Sequence, residues 1–106
     1  MTTTAQSEIE ALMESANEAA AMLKLMAHEG RLRVLCHLAM HGEVSAGELT
    51  RAAGLQQSAL SQHLARLREA GLVATRRDAT TIRYRLADPH AARILETLKD
   101  IYCPQP

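Results

Sequence analysis

The sequence predicts a mainly α chain with one β-hairpin wing (α+β): four helices, a two-stranded hairpin and a final helix. Three observations predict it. Apolar residues recur at helical spacing near both ends of the chain. Ser45 followed by Glu48 is a capping box, and Gly54-Leu55 then separates two helical patterns. Residues 73–77 and 81–86 read as strands on either side of Asp78-Ala79-Thr80. That order is a winged helix-turn-helix, expected to dimerise through its first and last helices.

Residues 1–6 are polar and are expected to be disordered, which leaves one domain over residues 7–103. From Ile9, apolar residues fall at 9, 12, 13, 16, 19, 20, 23, 26 and 27, one face of a helix, with glutamates opposite. This predicts a single long first helix ending near His28-Glu29-Gly30, with Gly30 as its stop. A second helix is expected over residues 31–40, with Leu32, Leu35, Cys36, Ala39 and Met40 on one face. The third starts at Ser45 and turns Leu49, Ala52 and Ala53 inward. The fourth covers residues 57–70, with Leu60, Leu64 and Leu67 inward and Gly71 at the stop position. In the second strand, Ile82, Tyr84 and Leu86 face one way and Thr81, Arg83 and Arg85 the other. Asp88-Pro89 starts the last helix, striped by Ile94, Leu95, Leu98, Ile101 and Tyr102, and Pro104 ends it.

The chain has 106 residues, 47% of them apolar, yet no Phe or Trp and only two Tyr. Its core must be aliphatic and modest, since chains of this size bury only about 60–70% of their unfolded surface. The first and last helices carry wider apolar faces than so small a domain covers. A two-fold homodimer would bury them and set two reading helices about one DNA turn apart, hence a palindromic site.

A net charge of zero hides an asymmetry. Residues 1–30 carry Lys24 against five glutamates, a net of −4. Residues 31–86 carry nine arginines against Glu43, Glu48, Glu69 and Asp78, a net of +5. The positive charge falls where phosphates would be met. No apolar run approaches the ~20 residues that span a bilayer, and no signal peptide is present, so a cytoplasmic chain with no membrane role is expected.

These features predict double-stranded DNA as partner. Gln57, Ser58, Ser61 and Gln62, at the start of the fourth helix, are of the types that read base edges. His63 and Arg66 lie further along and would meet base or phosphate. Arg76, Arg77 and Arg83 would be wing contacts. The competing reading is a protein–protein adaptor with a solvated helix and hairpin. No nucleophile–base–oxyanion set and no Gly-rich phosphate loop occur, so no enzyme is expected, and no cofactor.

The stretch SQHLARLREAGLVATRRDATTIRYRL, preceded by GELTRAAGLQQSAL, resembles the ArsR/SmtB family of small bacterial repressors, over about residues 23–103. The resemblance implies a homodimeric winged-helix repressor that releases its operator when an inducer binds. Metal sensors of that family carry Cys-x-Cys where this chain has Ser45 and Gly47. A second family metal site matches here only at Asp88-Pro89-His90; its other ligands would fall on Ile101 and Pro104, which cannot ligate. No metal site is therefore expected. MAHEGRLRVLCHL together with DIYC is similar to the dithiol subgroup, the BigR, SqrR and HlyU type, which senses sulfide-derived reactive sulfur. One departure is Gln56, where the subgroup commonly has a capping Ser.

The resemblance assigns Cys36 and Cys103 as a redox-sensing pair that forms a di- or polysulfide bridge with reactive sulfur, or with oxidants, and releases DNA. In the cytosol two cysteines are rarely a permanent staple. Arg31, Arg33 and His37 lie close in sequence and would lower a thiol pKa if they face it. The alternatives are an inert core Cys36, or a zinc- or copper-responsive repressor using both sulfurs with His37 or His41.

Overall fold

The structure is a computed structural model that describes residues 2–103. In chain order it comprises α1 (Thr2–Glu14), α2 (Ala16–Met26), α3 (Glu29–His41), β1 (Val44–Ser45), α4 (Ala46–Ala53), α5 (Gln57–Glu69), β2 (Val73–Asp78), β3 (Thr81–Leu86) and α6 (Pro89–Tyr102). The mainly helical, winged helix-turn-helix reading stands. Pro104, expected to end the last helix, lies outside the described residues.

Three expectations need correction. The long first helix is two helices that meet at Ser15, whose backbone leaves the α region at φ −100°, ψ 13°. Ser15 N–H still donates to Ala11 and Leu12 carbonyls at 3.2 and 3.1 Å, so the ladder bends rather than stops. Residues 2–6, expected outside any element, belong to α1. Gly30 is not a stop but the second residue of α3, and its cap is His28, whose Nδ1 accepts from Gly30 N–H at 3.0 Å. A Cβ on Gly30 would come within 3.2 Å of both the His28 ring and Leu55.

The sheet has three antiparallel strands in the order β1-β3-β2, one more than the sequence suggests. β1 is two residues long and is defined by pairing Val44 with Tyr84 and Ser45 with Arg83. Across the hairpin, Thr75 pairs with Tyr84, Arg76 with Arg83 and Arg77 with Ile82. Paired residues share a face, so Ser45, Arg76 and Arg83 lie on the outer face and Val44, Thr75 and Tyr84 on the core face.

Local signals account for the helix starts. Ser45 Oγ accepts from Glu48 N–H at 3.3 Å, and Asp88 accepts from His90 N–H at 2.8 Å with Pro89 in the first turn. Between α4 and α5, Gly54 takes the left-handed conformation (φ 67°, ψ 33°) that a side chain disfavours.

The core is aliphatic: Val34, Leu35 and Leu38 of α3; Leu49 and Ala53 of α4; Leu60, Leu64 and Leu67 of α5; Val44, Leu72 and Val73; Ala91 and Leu95 of α6. On α3 the buried face is therefore Val34-Leu35-Leu38, and Cys36, Ala39 and Met40 of the expected face are exposed. Helix α1 packs mainly on α2. The radius of gyration is 16.0 Å, where a compact chain of this length has about 13 Å. Helix α2 joins the core through Met26, with Met22 and Leu25 packed against it, so α1 is the part that reaches away as an arm.

Candidate nucleic-acid interface and thiol pair

Helix α5 buries Leu60, Leu64 and Leu67 and leaves Gln57, Ser58, Ser61, Gln62 and Arg66 exposed. These five of the sequence-predicted residues share the solvent side of the second helix of the helix-turn-helix. Gln56 holds the N-cap position without a side-chain bond, as its poor capping chemistry predicts.

His63 departs from the rest. It is half-buried, and its Nδ1 accepts from Arg31 Nε at 3.1 Å. Its ring lies 4.5 Å from that of His28. Burial first, then the charges of His28 and Arg31, hold its imidazole below the ordinary histidine range. It faces the start of α3 instead of solvent.

On the wing, the three predicted arginines differ in what holds them. Arg76 makes a two-pronged pair with Glu43, in the loop before β1, at 2.7–3.1 Å. That pair lowers the Glu43 carboxyl and raises the Arg76 guanidinium. Arg83 donates to Asp78 at 3.3 Å. Arg77 is exposed and makes no ion pair among the described residues. Arg85, passed over as a contact, is equally exposed and contributes positive charge around Glu43. Its alternation with Arg83 was the signal that could have found it.

Cys36 sits on α3 and Cys103 directly follows α6, two helices that pack together. Both thiols are free and exposed. Cys103 N–H donates to the Lys99 carbonyl at 2.7 Å, which fixes its backbone at the helix end. Desolvation first, then the nearby Cys103 sulfur, push the Cys36 thiol up. The expectation that neighbouring cations lower it is not met, because each is engaged elsewhere. Arg31 donates to His63 and to the Leu25 carbonyl. Arg33 donates to the Ala53 carbonyl and lies 3.6 Å from Glu29. His37 Nε2 is 3.0 Å from Glu48.

A family model described as bacterial regulatory protein, arsR family, matches residues 28–75. The HTH-type transcriptional regulator YgaV of Escherichia coli K12 is 50% identical over 97 residues, 92% of this chain and 98% of that protein. The chain belongs to the arsR family. The structure of the transcriptional repressor BigR from Xylella fastidiosa superposes with a TM-score of 0.83 at 44% identity, over 91% of this chain and 97% of that one. Reduced HlyU from Vibrio cholerae N16961 gives 0.81 at 44% identity, over 89% and 98%. Within the arsR family the chain groups with BigR and HlyU, and it is a transcriptional regulator with a DNA-binding winged helix, not an enzyme. No helix is long and apolar enough to cross a membrane, among the described residues.

Proposed function

We propose that this arsR-family regulator is a homodimeric repressor of a palindromic operator whose Cys36–Cys103 pair senses reactive sulfur. The observation that carries the reading is the pairing itself: two free, exposed thiols from helices α3 and α6, near enough that one sulfur's charge acts on the other. In this reading Cys103, exposed just past the end of α6, makes the first attack. The Cys103 thiolate takes the outer sulfur of a persulfide RSSH and releases the thiol RSH. The Cys36 thiolate then attacks the Cys103 sulfur, closing a disulfide and expelling hydrosulfide. With a second persulfide Cys36 is loaded as well. One perthiolate then displaces hydrosulfide from the other, which leaves a trisulfide. Either bridge ties α3 to α6 and biases the spacing of the two reading helices.

The test is mass spectrometry and DNA binding after treatment with a persulfide donor. The expected result is a Cys36–Cys103 link with or without added sulfur, and loss of operator affinity. Cys36→Ser is expected to keep its DNA under the same treatment; release by that variant would sink the reading. The zinc- or copper-responsive alternative gains nothing from the geometry: among the described residues no three His, Cys, Asp or Glu side chains converge as a metal site.

DNA contacts follow the same reading, with Gln57, Ser58, Ser61 and Gln62 toward bases and Arg66, Arg77 and Arg85 toward phosphate. Arg77→Ala is expected to weaken all duplexes alike and to flatten the salt dependence by about one unit. Gln62→Ala is expected instead to change the ranking of duplexes, by about 1–3 kcal/mol at one base pair. A titration series over several salt concentrations and operator variants separates the two.

A further inference from the structure

We propose that His63 is a positioning residue that locks the reading helix to the start of α3 through neutral imidazoles, so that acidification releases the lock and DNA. The inference rests on α5 as the reading helix and is independent of the thiols. Two bonds fix the protonation states. His63 Nδ1 accepts from Arg31 Nε at 3.1 Å, and His28 Nδ1 accepts from Gly30 N–H at 3.0 Å. Neither donor can act as an acceptor. Each ring therefore carries its proton on Nε2, and a second proton must go to an Nδ1 already in use. Protonating His63 sets a new N–H against the Arg31 guanidinium and a cation 4.5 Å from the His28 ring.

The groups facing the His63 ring supply no compensation. From α3 they are Arg31 and the capping His28. Arg31 also donates to the Leu25 carbonyl of α2, at 3.3 Å. Arg31 is thus a bracket between the end of α2 and the middle of α5. Gly30 leaves room for the His28 ring, because a side chain there would press on that ring and on Leu55. Since His63 is held below the ordinary histidine range, the lock is complete above about pH 6.5 and weakens as pH falls through that value. Once unlocked, α5 loses the contact beside Gln62 and the base-reading side chains lose their register.

The sign distinguishes this from surface charging. Positive charge gained at a surface tightens phosphate attraction; the lock predicts weaker binding. The experiment uses the full reduced chain and a duplex that the protein selects from a random pool at pH 7.5. Affinity is measured from pH 7.5 to 5.5 at constant ionic strength. Wild type is expected to lose affinity by up to about tenfold, the ceiling that exclusion of one proton sets per pH unit below the ordinary histidine value. His63→Asn offers an amide oxygen near the Nδ1 position but takes no proton. It is expected to bind within about threefold of wild type at pH 7.5 and to lose the acid sensitivity. Matching pH profiles for the two proteins would overturn the proposal. If His63→Asn does not fold, an NMR titration of wild type decides. An imidazole titrating below the ordinary histidine value, together with shifts in α5 amides, supports the lock; an ordinary value with α5 unchanged overturns it. Failure to select any duplex at pH 7.5 would overturn the reading role of α5 instead.

Discussion

Leu35→Ala is expected to destabilise the protein by about 2–5 kcal/mol, the cost of removing a fully enclosed leucine and leaving part of its cavity. Leu35 has no exposed surface. It lies on α3, the helix that packs against α2, α4, α5, α6 and β3 and so has little room to collapse. Small domains have only about 5–15 kcal/mol in total, so this one change removes a large share. Urea unfolding at fixed protein concentration measures it, and the midpoint should drop with little change in slope. The neighbouring Cys36→Ala is the control: Cys36 is exposed on the same helix and its removal should cost under about 1 kcal/mol. A Leu35→Ala loss as small as the control's would mean that α3 is not the centre of the core.

That contrast shows where periodicity stops being informative. Two overlapping stripes run along α3, Leu32-Leu35-Cys36-Ala39-Met40 and Val34-Leu35-Leu38, and both have helical spacing. Sequence spacing cannot rank them, because the buried one is chosen by which side the neighbouring helices occupy. On α5 only one stripe exists, and Leu60-Leu64-Leu67 was legible at once. His63 sits on the shoulder of that stripe, which is why it turns toward Arg31 while Gln62 beside it stays in solvent.

The capping signals at Ser45 and Asp88 are local, a side chain reaching an amide two or three residues away, and the sequence carried them intact. β1 is the opposite case. Two residues become a strand only because Tyr84 and Arg83 are opposite them. The wing charges fail for the same reason. Arginine density was readable, but Glu43 lies 33 residues before Arg76, and only the fold brings them into a pair. The bend at Ser15 left no mark in the apolar pattern, since the residues on both sides keep the same face.

Leu12→Glu combined with Ile101→Glu is expected to turn the proposed homodimer into a monomer and to cut operator affinity by at least about 100-fold. The apolar surface on these two helices has no partner within one chain. On α1, Ile9 is 57% exposed, Leu12 55% and Met13 69%; at the end of α6, Ile101 is 60% exposed and Tyr102 77%. An arm that packs mainly on α2 while showing this much aliphatic surface costs solvation energy, at roughly 25 cal/mol for each Å² left in water. In the proposed homodimer a second copy would remove that cost symmetrically, with each arm covering the other subunit's α6. Placing a carboxylate on each helix puts like charges into that contact, where burying an unpaired charge is prohibitive. The core is untouched, because both side chains are already in solvent in the single chain. Monomers still carry a complete reading helix, so residual binding should remain with a shallower salt dependence, reflecting fewer phosphates neutralised. Light scattering at micromolar concentration and a binding titration on one palindromic duplex decide it. A wild-type chain that is already monomeric, or a double variant that stays dimeric, would place the dimer contact elsewhere.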